Sequence, residues 1–393
     1  MTGKRKIGVM KNRSQGSPKV VIQSQYFLYF GVLGIFLPYF NLYCYHLGFN
    51  GVQIGTLSAF RSVTLVVFPL IWGALADHFH IRRPIYIACN ILSTLIWIGY
   101  LYTTDFEKML IITVTYGIFY APIISFLEAF SMDILGPEKK SYGRVRVWGS
   151  INFILIVIVL GKLVDVYSID MILVLVLIGS SLLSLMSFRV PRVISAETDS
   201  FTTHVKELLK PRVIIFLLCG FLMLVSHGAY YGFFSIHLET LGYPRAFIGI
   251  AWALASTAEI LVMVQSGKIF RRFSLENVLF FSFVIAALRW LILYFVQSPA
   301  LILFSQIFHA VTYGTFHMAS ILYMDQLTPD RAKTLGQAVN NAVQYGLGLM
   351  VGFFLNGYLY EITGSFTLFI VSGCISVAGG MIFKGYQRIA KKA

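Results

Sequence analysis

Charge is what this sequence has least of. Only 12% of its 393 residues are Asp, Glu, Lys or Arg, about half the roughly 25% of a soluble domain, and that excludes an ordinary water-facing surface. Cysteine is also sparse. Cys44, Cys89, Cys219 and Cys374 lie in or at the ends of apolar runs, without metal-like spacing, and read as small packing residues. No His/Glu metal spacing and no Gly-flanked serine stands in a convincing context, so no metal, no cofactor and no enzyme activity are expected. Gly149-Ser150 is a helix-packing step. The basic N-terminal stretch lacks a short apolar segment with a small-residue cleavage site, so the first helix is read as uncleaved. Acidic residues number 17 against 31 Lys and Arg, a net charge of +14. Such an excess suits nucleic acid, but its placement excludes that partner. Lys4, Arg5, Lys6, Lys11, Arg13 and Lys19 precede the first apolar run, and most other basic residues gather in alternate loops, as the positive-inside rule requires.

What fills the chain instead is hydrocarbon. Hydrophobic residues make up 57%, with 34 Phe and 22 Tyr, and the mean hydropathy is +0.76. Apolar runs fall at about 21–45, 51–76, 84–104, 107–135, 143–166, 169–189, 211–240, 245–272, 276–297, 299–327, 332–361 and 364–387. A bilayer leaves a backbone of this length no choice but helix, which predicts an all-α integral membrane protein of twelve spans. Lys and Arg concentrate at both ends and near 77–84, 135–144, 189–212, 268–275 and 328–333, whereas the opposite loops hold only Lys108, Lys162 and Arg245. Both termini are therefore expected to be cytoplasmic, in a multi-pass protein of the plasma membrane (the inner membrane in a bacterium) with the lipid bilayer as its partner.

The one long polar stretch, from Pro191 to Lys210, divides the chain into near-equal halves. The expected organisation is a basic tail (1–20), a six-helix bundle (21–190), a cytoplasmic linker (191–210), a second six-helix bundle (211–388) and a short tail (389–393). The halves repeat. Leu47-Gly48-Phe49, Ile54-Gly55 and Gly73 recur as Leu241-Gly242-Tyr243, Ile248-Gly249 and Gly267, each pair 194 residues apart. Parallel repeats about a central cavity are a recurrent transporter plan.

After the second span comes Gly73-Ala-Leu-Ala-Asp77-His-Phe-His-Ile-Arg82-Arg83-Pro84, matched in the second half by Gly267-Lys268-Ile-Phe-Arg271-Arg272. This resembles the loop signature of the major facilitator superfamily: a small residue and an Asp, then a basic pair. The resemblance implies two six-helix bundles related by a pseudo-two-fold axis. It also implies that Gly73 permits close helix contact and that Asp77 bonds a neighbouring helix in one conformational state.

Ionisable residues at membrane depth are the informative ones, since each costs at least ~2.5–3.5 kcal/mol at a helix centre. They are Arg61, Glu128, Arg146, Glu259 and Arg289, with His227 and His309. Such groups face a bundle interior or an aqueous cavity, and structural ion pairs are the competing explanation. Three arginines against two carboxylates leave one guanidinium without a formal counter-charge, a place for a carboxylate substrate. Asn340 and Gln344 either line the cavity or bond between helices.

The spacings carry a closer resemblance. Glu128 precedes Arg146 of Gly143-Arg-Val-Arg146 by 18 residues, similar to the sugar-binding pair of the lactose permease branch, with Phe153 where that branch stacks a tryptophan. Thr312 and Gln306 replace a carboxylate and a lysine of that branch, so its full proton relay does not carry over. The phenylpropionate permease-like branch, grouped with nucleoside:proton symporters, is more similar still, over about 24–385. Gly34-Ile-Phe-Leu-Pro38, Ser226-His227-Gly-Ala-Tyr230-Tyr231, Leu288-Arg289-Trp290, His309-Ala-Val-Thr-Tyr-Gly314-Thr-Phe-His317 and Gly346-Leu-Gly348 carry it. The resemblance implies a proton-coupled secondary transporter that works as a monomer on a small-molecule substrate. Glu259, Arg289 and His309 are then the proton-coupling set, with Arg289 partnering Glu259 and His309 sharing the proton. Glu128, Arg146, Phe153, Arg61, His227, Tyr230, Tyr231, Asn340 and Gln344 form the substrate set. An aromatic carboxylate is favoured, with sugars or nucleosides as rivals and a non-transporting sensor as the alternative of another class.

Overall fold

The computed structural model describes residues 18–191 and 208–390; the expected tails and linker lie mostly outside them. The first half contains α1 (Pro18–His46), α2 (Gly51–His78), α3 (Arg82–Trp97, prolonged by a 3-10 turn to Leu101), α4 (Phe106–Leu135), α5 (Tyr142–Val166) and α6 (Met171–Ser187). The second contains α7 (Pro211–Thr240), α8 (Arg245–Arg272), α9 (Leu275–Phe295), a tenth span of α10 (Pro299–Ile307) and α11 (Phe316–Leu327), an eleventh of α12 (Lys333–Asn341) and α13 (Leu349–Thr363), and α14 (Ser365–Ala390). Among the described residues ten helices are long and apolar enough to cross a membrane. α6 and the segmented tenth span complete twelve. The fold is the expected pair of six-helix bundles.

Helix ends follow local chemistry. Asn50 and Gln53 form a capping box at the start of α2, and Asp105 and Ser274 cap α4 and α9. The 194-residue repeat is structural as well. Gly48 and Gly242 both adopt φ +82°. In each, the glycine and the following residue turn their N–H groups back on the preceding helix, Gly48 to Tyr45 and Phe49 to Cys44, Gly242 to Glu239 and Tyr243 to Leu238. Only glycine takes that left-handed turn without a steric penalty.

The sequence reading treats 299–327 and 332–361 as uninterrupted helices, and here the structure differs. π-helical segments at Ala310–Thr315 and Ala342–Gly348 break both spans. A widened turn of this kind is a single extra residue per turn, and it often marks a functional site.

The start of α1 and the end of α14 lie on one face, called here the terminal face; the opposite is the far face. α2 runs along α13, α5 along α8, and α1 against α7. Small residues permit this. A Cβ on Gly55 would sit 3.0 Å from the Gly357 Cα, and one on Gly249 would strike the Val157 carbonyl. The hydrogen bonds joining the bundles cluster in the far half: Asn41 donates to the Gly232 carbonyl at 2.9 Å, and Ser62 to that of Tyr345 at 2.9 Å. On the far face His46 lies 2.9 Å from Glu239, which also receives Arg245 at 2.9 Å. Nearer the terminal face, Gly73 and Gly267 have no neighbour within 4 Å of where a Cβ would stand. The close helix contact expected at Gly73 is therefore absent in this conformation.

Candidate functional site between the bundles

Arg289 organises the second bundle. It is fully buried on α9, and an ion removed from water is costly unless its donors are met. Nη2 donates to Gln306 Oε1 at 2.9 Å, while Nη1 donates to His309 Nδ1 at 3.0 Å and Thr312 Oγ1 at 3.4 Å. Its guanidinium lies 4.2 Å over the Tyr230 ring and 4.8 Å from that of Trp290, contacts worth ~0.5–2 kcal/mol each. No carboxylate touches it among the described residues. The expected Arg289–Glu259 pair does not form, because His309 stands between them.

That intermediary has its tautomer dictated. Arginine only donates, so His309 Nδ1 must accept and the ring proton sits on Nε2. Nε2 faces Glu259 Oε2 at 3.8 Å and the Tyr231 hydroxyl at 3.5 Å. While Arg289 holds Nδ1, the imidazole has no free nitrogen for a second proton. Sharing of the proton by His309, as expected from sequence, is therefore blocked in this conformation, and Glu259 is the open acceptor. A Cβ on Gly314, within the first π segment, would lie 3.1 Å from Glu259 Cγ, so that glycine lets α8 bring the carboxylate to this spot. The cation whose field reaches Glu259 is Arg146, from the opposite bundle.

Arg146 itself lies over the Phe30 ring at 3.8 Å and that of Tyr26 at 5.7 Å, with Ser150 Oγ at 3.4 Å. No Glu128–Arg146 ion pair within 4.0 Å forms; Glu128 instead accepts from the Tyr142 hydroxyl at 3.5 Å. The pair inferred by likeness to sugar carriers is thus separated, because aromatic rings of α1 claim the guanidinium. Arg61 on α2 stands 4.7 Å over Phe36.

Other expected substrate residues take other places. His227 is fully buried, with Nδ1 on the Met223 carbonyl at 2.8 Å and Nε2 3.4 Å from Thr312 Oγ1, so it braces the Arg289 cluster from behind. Tyr230 is buried beneath Arg289, whereas the Tyr231 hydroxyl reaches His309 Nε2, on the Glu259 side of the imidazole. Phe153 is buried with its backbone against Gly34 of α1. Asn340 and Gln344 are buried and bond Ser320 at 3.4 and 2.8 Å, the interhelical alternative of their two sequence readings. Of the loop motif, Arg82 bridges Asp77 at 2.9 Å and Asp133 at 3.0 Å. Arg83 donates to the Val190 and Phe188 carbonyls. Lys268, Arg271 and Arg272 are exposed on the terminal face.

Sequence reasoning passed over several participants. Gln306 and Thr312 were noted only as losses, yet they are the acceptors that hold Arg289. Their signal was the helical spacing of three residues either side of His309. Tyr313 stacks on His309 at 5.1 Å and 8°, and on His317 at 6.2 Å and 9°; His317 in turn meets the Tyr345 hydroxyl at 2.6 Å. These rings give no signal in a chain so rich in tyrosine.

Comparison with known proteins agrees with this architecture. A probable 3-phenylpropionic acid transporter of Escherichia coli (strain K12) is 26% identical over 349 residues, covering 86% of this chain and 90% of that protein. A putative nucleoside transporter of the same organism is 22% identical, covering 80% and 78%. Among solved structures, a mutant of the nucleoside transporter NupG superposes with a TM-score of 0.86 at 18% identity, covering 94% of this chain and 99% of that one. The model of the MFS_1 like family matches residues 20–371. The chain belongs to that family, and it is a multi-pass secondary transporter rather than an enzyme.

Proposed function

We propose that this protein is a proton-coupled symporter of a small organic solute, most suited to an aromatic carboxylate, acting as a single chain. It would sit in the plasma membrane (the inner membrane of a bacterium) with the terminal face cytoplasmic, in keeping with the basic residues gathered on that face. The observation that carries the reading is the Glu259 carboxylate facing His309 Nε2 at 3.8 Å, within the field of Arg146 of the other bundle.

A proton on Glu259 abolishes its attraction for Arg146, and its loss restores a force pulling α8 towards α5. One proton thereby biases the rocking of the bundles, the differential interaction that any coupled conformational change requires. The core also holds more arginine than carboxylate, which favours an anionic solute over a sugar or nucleoside. The relative named for 3-phenylpropionic acid supports that class, while the nucleoside transporters among the similar proteins define the rival.

Reconstituted protein should accumulate 3-phenylpropionate when a pH gradient, acidic on the far-face side, is imposed. Glu259→Gln should lose accumulation yet keep solute exchange. Uptake of uridine or maltose in place of the acid would transfer the assignment to the rival class. Undiminished gradient-driven uptake by Glu259→Gln would refute the coupling role.

A further inference from the structure

Among the three core arginines, Arg61 alone is without an acceptor. Arg289 donates to Gln306, His309 and Thr312. Arg146 reaches Ser150 and acts on both Glu128 and Glu259. The Arg61 side chain makes no hydrogen bond and no ion pair among the described residues, and its Nε is buried without a partner. Its guanidinium lies 4.7 Å over the Phe36 ring, with Tyr100, Tyr116, Tyr120 and Cys44 as neighbours that act on its charge. Arg61 is half-buried, with only Nε fully enclosed, so its terminal nitrogens stay open to an incoming acceptor.

A second orphan belongs to the same surroundings. The Tyr120 hydroxyl is buried, with the Tyr29 hydroxyl nearby but not aligned for a hydrogen bond. Its ring is held rigidly, between Tyr116 at 4.8 Å and 18° and Tyr29 at 5.3 Å and 11°, so the hydroxyl cannot swing away to find a partner. Tyr100, by contrast, is already satisfied by Thr113 at 2.7 Å. Two donors without an acceptor, one cationic and one phenolic, stand among the aromatic side chains of the first bundle. The complement to that pair is an acceptor with two lone-pair-bearing oxygens and one negative charge, which is a carboxylate.

We infer that Arg61 and Tyr120 bind the carboxylate of the substrate, and that they set the preference for an aromatic acid over a neutral analogue. The inference rests on the proposed reading that the solute is a carboxylate, and it adds where that group docks. It also assigns the two ends of the coupling to different bundles: the solute's charge to the first, the proton on Glu259 to the second.

The test compares 3-phenylpropionate with 3-phenylpropionamide, a neutral ligand of almost the same shape, by thermal shift and by binding titration on detergent-solubilised full chain. Wild type should prefer the acid. In Arg61→Gln the acid-over-amide ratio should fall ~100-fold, in line with loss of a two-pronged ion pair, and in Tyr120→Phe ~10-fold, in line with loss of one hydrogen bond to a charged acceptor. Arg61→Lys should recover part of the preference, since it keeps the charge without the two-pronged geometry. The ligand-free Arg61→Gln protein should melt no lower than wild type, because the guanidinium makes no hydrogen bond or ion pair in the empty protein; a residue with a purely structural role would lower the melting temperature. An acid preference retained in Arg61→Gln, while wild type binds the acid, overturns this inference and leaves the proposed function standing. Wild type that binds neither this acid nor other aryl acids overturns the carboxylate reading itself.

Discussion

Closure of the far face should weaken when Asp165 is replaced by alanine. α8 starts at Arg245 after Pro244, which supplies no capping side chain. The cap comes from the other bundle: Asp165, at the end of α5, accepts from the Arg245 N–H at 2.7 Å and the Ala246 N–H at 2.9 Å. The pseudo-symmetric partner does the reverse. Glu361, at the end of α13, accepts from the Gly51 N–H of α2 at 2.8 Å. All three bonds cross between the bundles and exist only while the far face is shut. An N-terminal cap is worth ~1 kcal/mol within a range of about 0.5–2, and a carboxylate at a helix start adds ~0.3–1 kcal/mol. Asp165 is exposed, so the lower part of those ranges applies, about 1 kcal/mol or roughly a fivefold shift in the closed-to-open ratio. α2 keeps a cap of its own, Asn50 accepting from the Gln53 N–H, so Glu361→Ala should do less. The two sites share no partner, and the double variant should shift the ratio ~10-fold by near-additivity. Spin labels at Tyr102 and Phe295, both on exposed far-face positions, would report the distance distribution by double electron–electron resonance after the native cysteines are replaced. Asp170→Ala is the control, since its carboxylate serves Ser168 of its own loop at 2.6 Å. A closed population unchanged in the double variant would refute the idea that these caps hold the bundles together.

Two further outcomes follow from the site. Gly314→Ala places a methyl 3.1 Å from Glu259 Cγ; it should cost ~1–3 kcal/mol of stability by overpacking and cut gradient-driven uptake about tenfold, seen by thermal melting and vesicle transport. Gln306→Ala strips an acceptor from buried Arg289 and should destabilise by ~1–3 kcal/mol, whereas Gln306→Glu offers that guanidinium a carboxylate and should melt higher. Equal melting of the two Gln306 variants would show that Arg289 does not depend on this acceptor.

Much of the protein was legible in its amino-acid order. A bilayer allows a backbone only one common answer, so twelve apolar runs meant twelve spans, and Gly48 and Gly242 announced a repeat that the backbone then showed at identical φ. The buried ions announced themselves because hydrocarbon makes each of them expensive. Their partners did not. Which atom meets which depends on helix rotation and on widened turns, and the π segments at Ala310–Thr315 and Ala342–Gly348 leave no trace in hydropathy. Likeness paired Arg289 with Glu259 and Arg146 with Glu128. Packing instead put His309 between the first pair, drew Arg146 over Phe30, and left Arg61 over Phe36 without an acceptor. The amino-acid sequence by itself determined the solvent, the span count and the repeat, since these answer to chain-local hydrophobicity and turn chemistry. Only the tertiary structure decided which charge is spoken for and which is left open, because that is a matter of ångström distances between helices far apart in the chain.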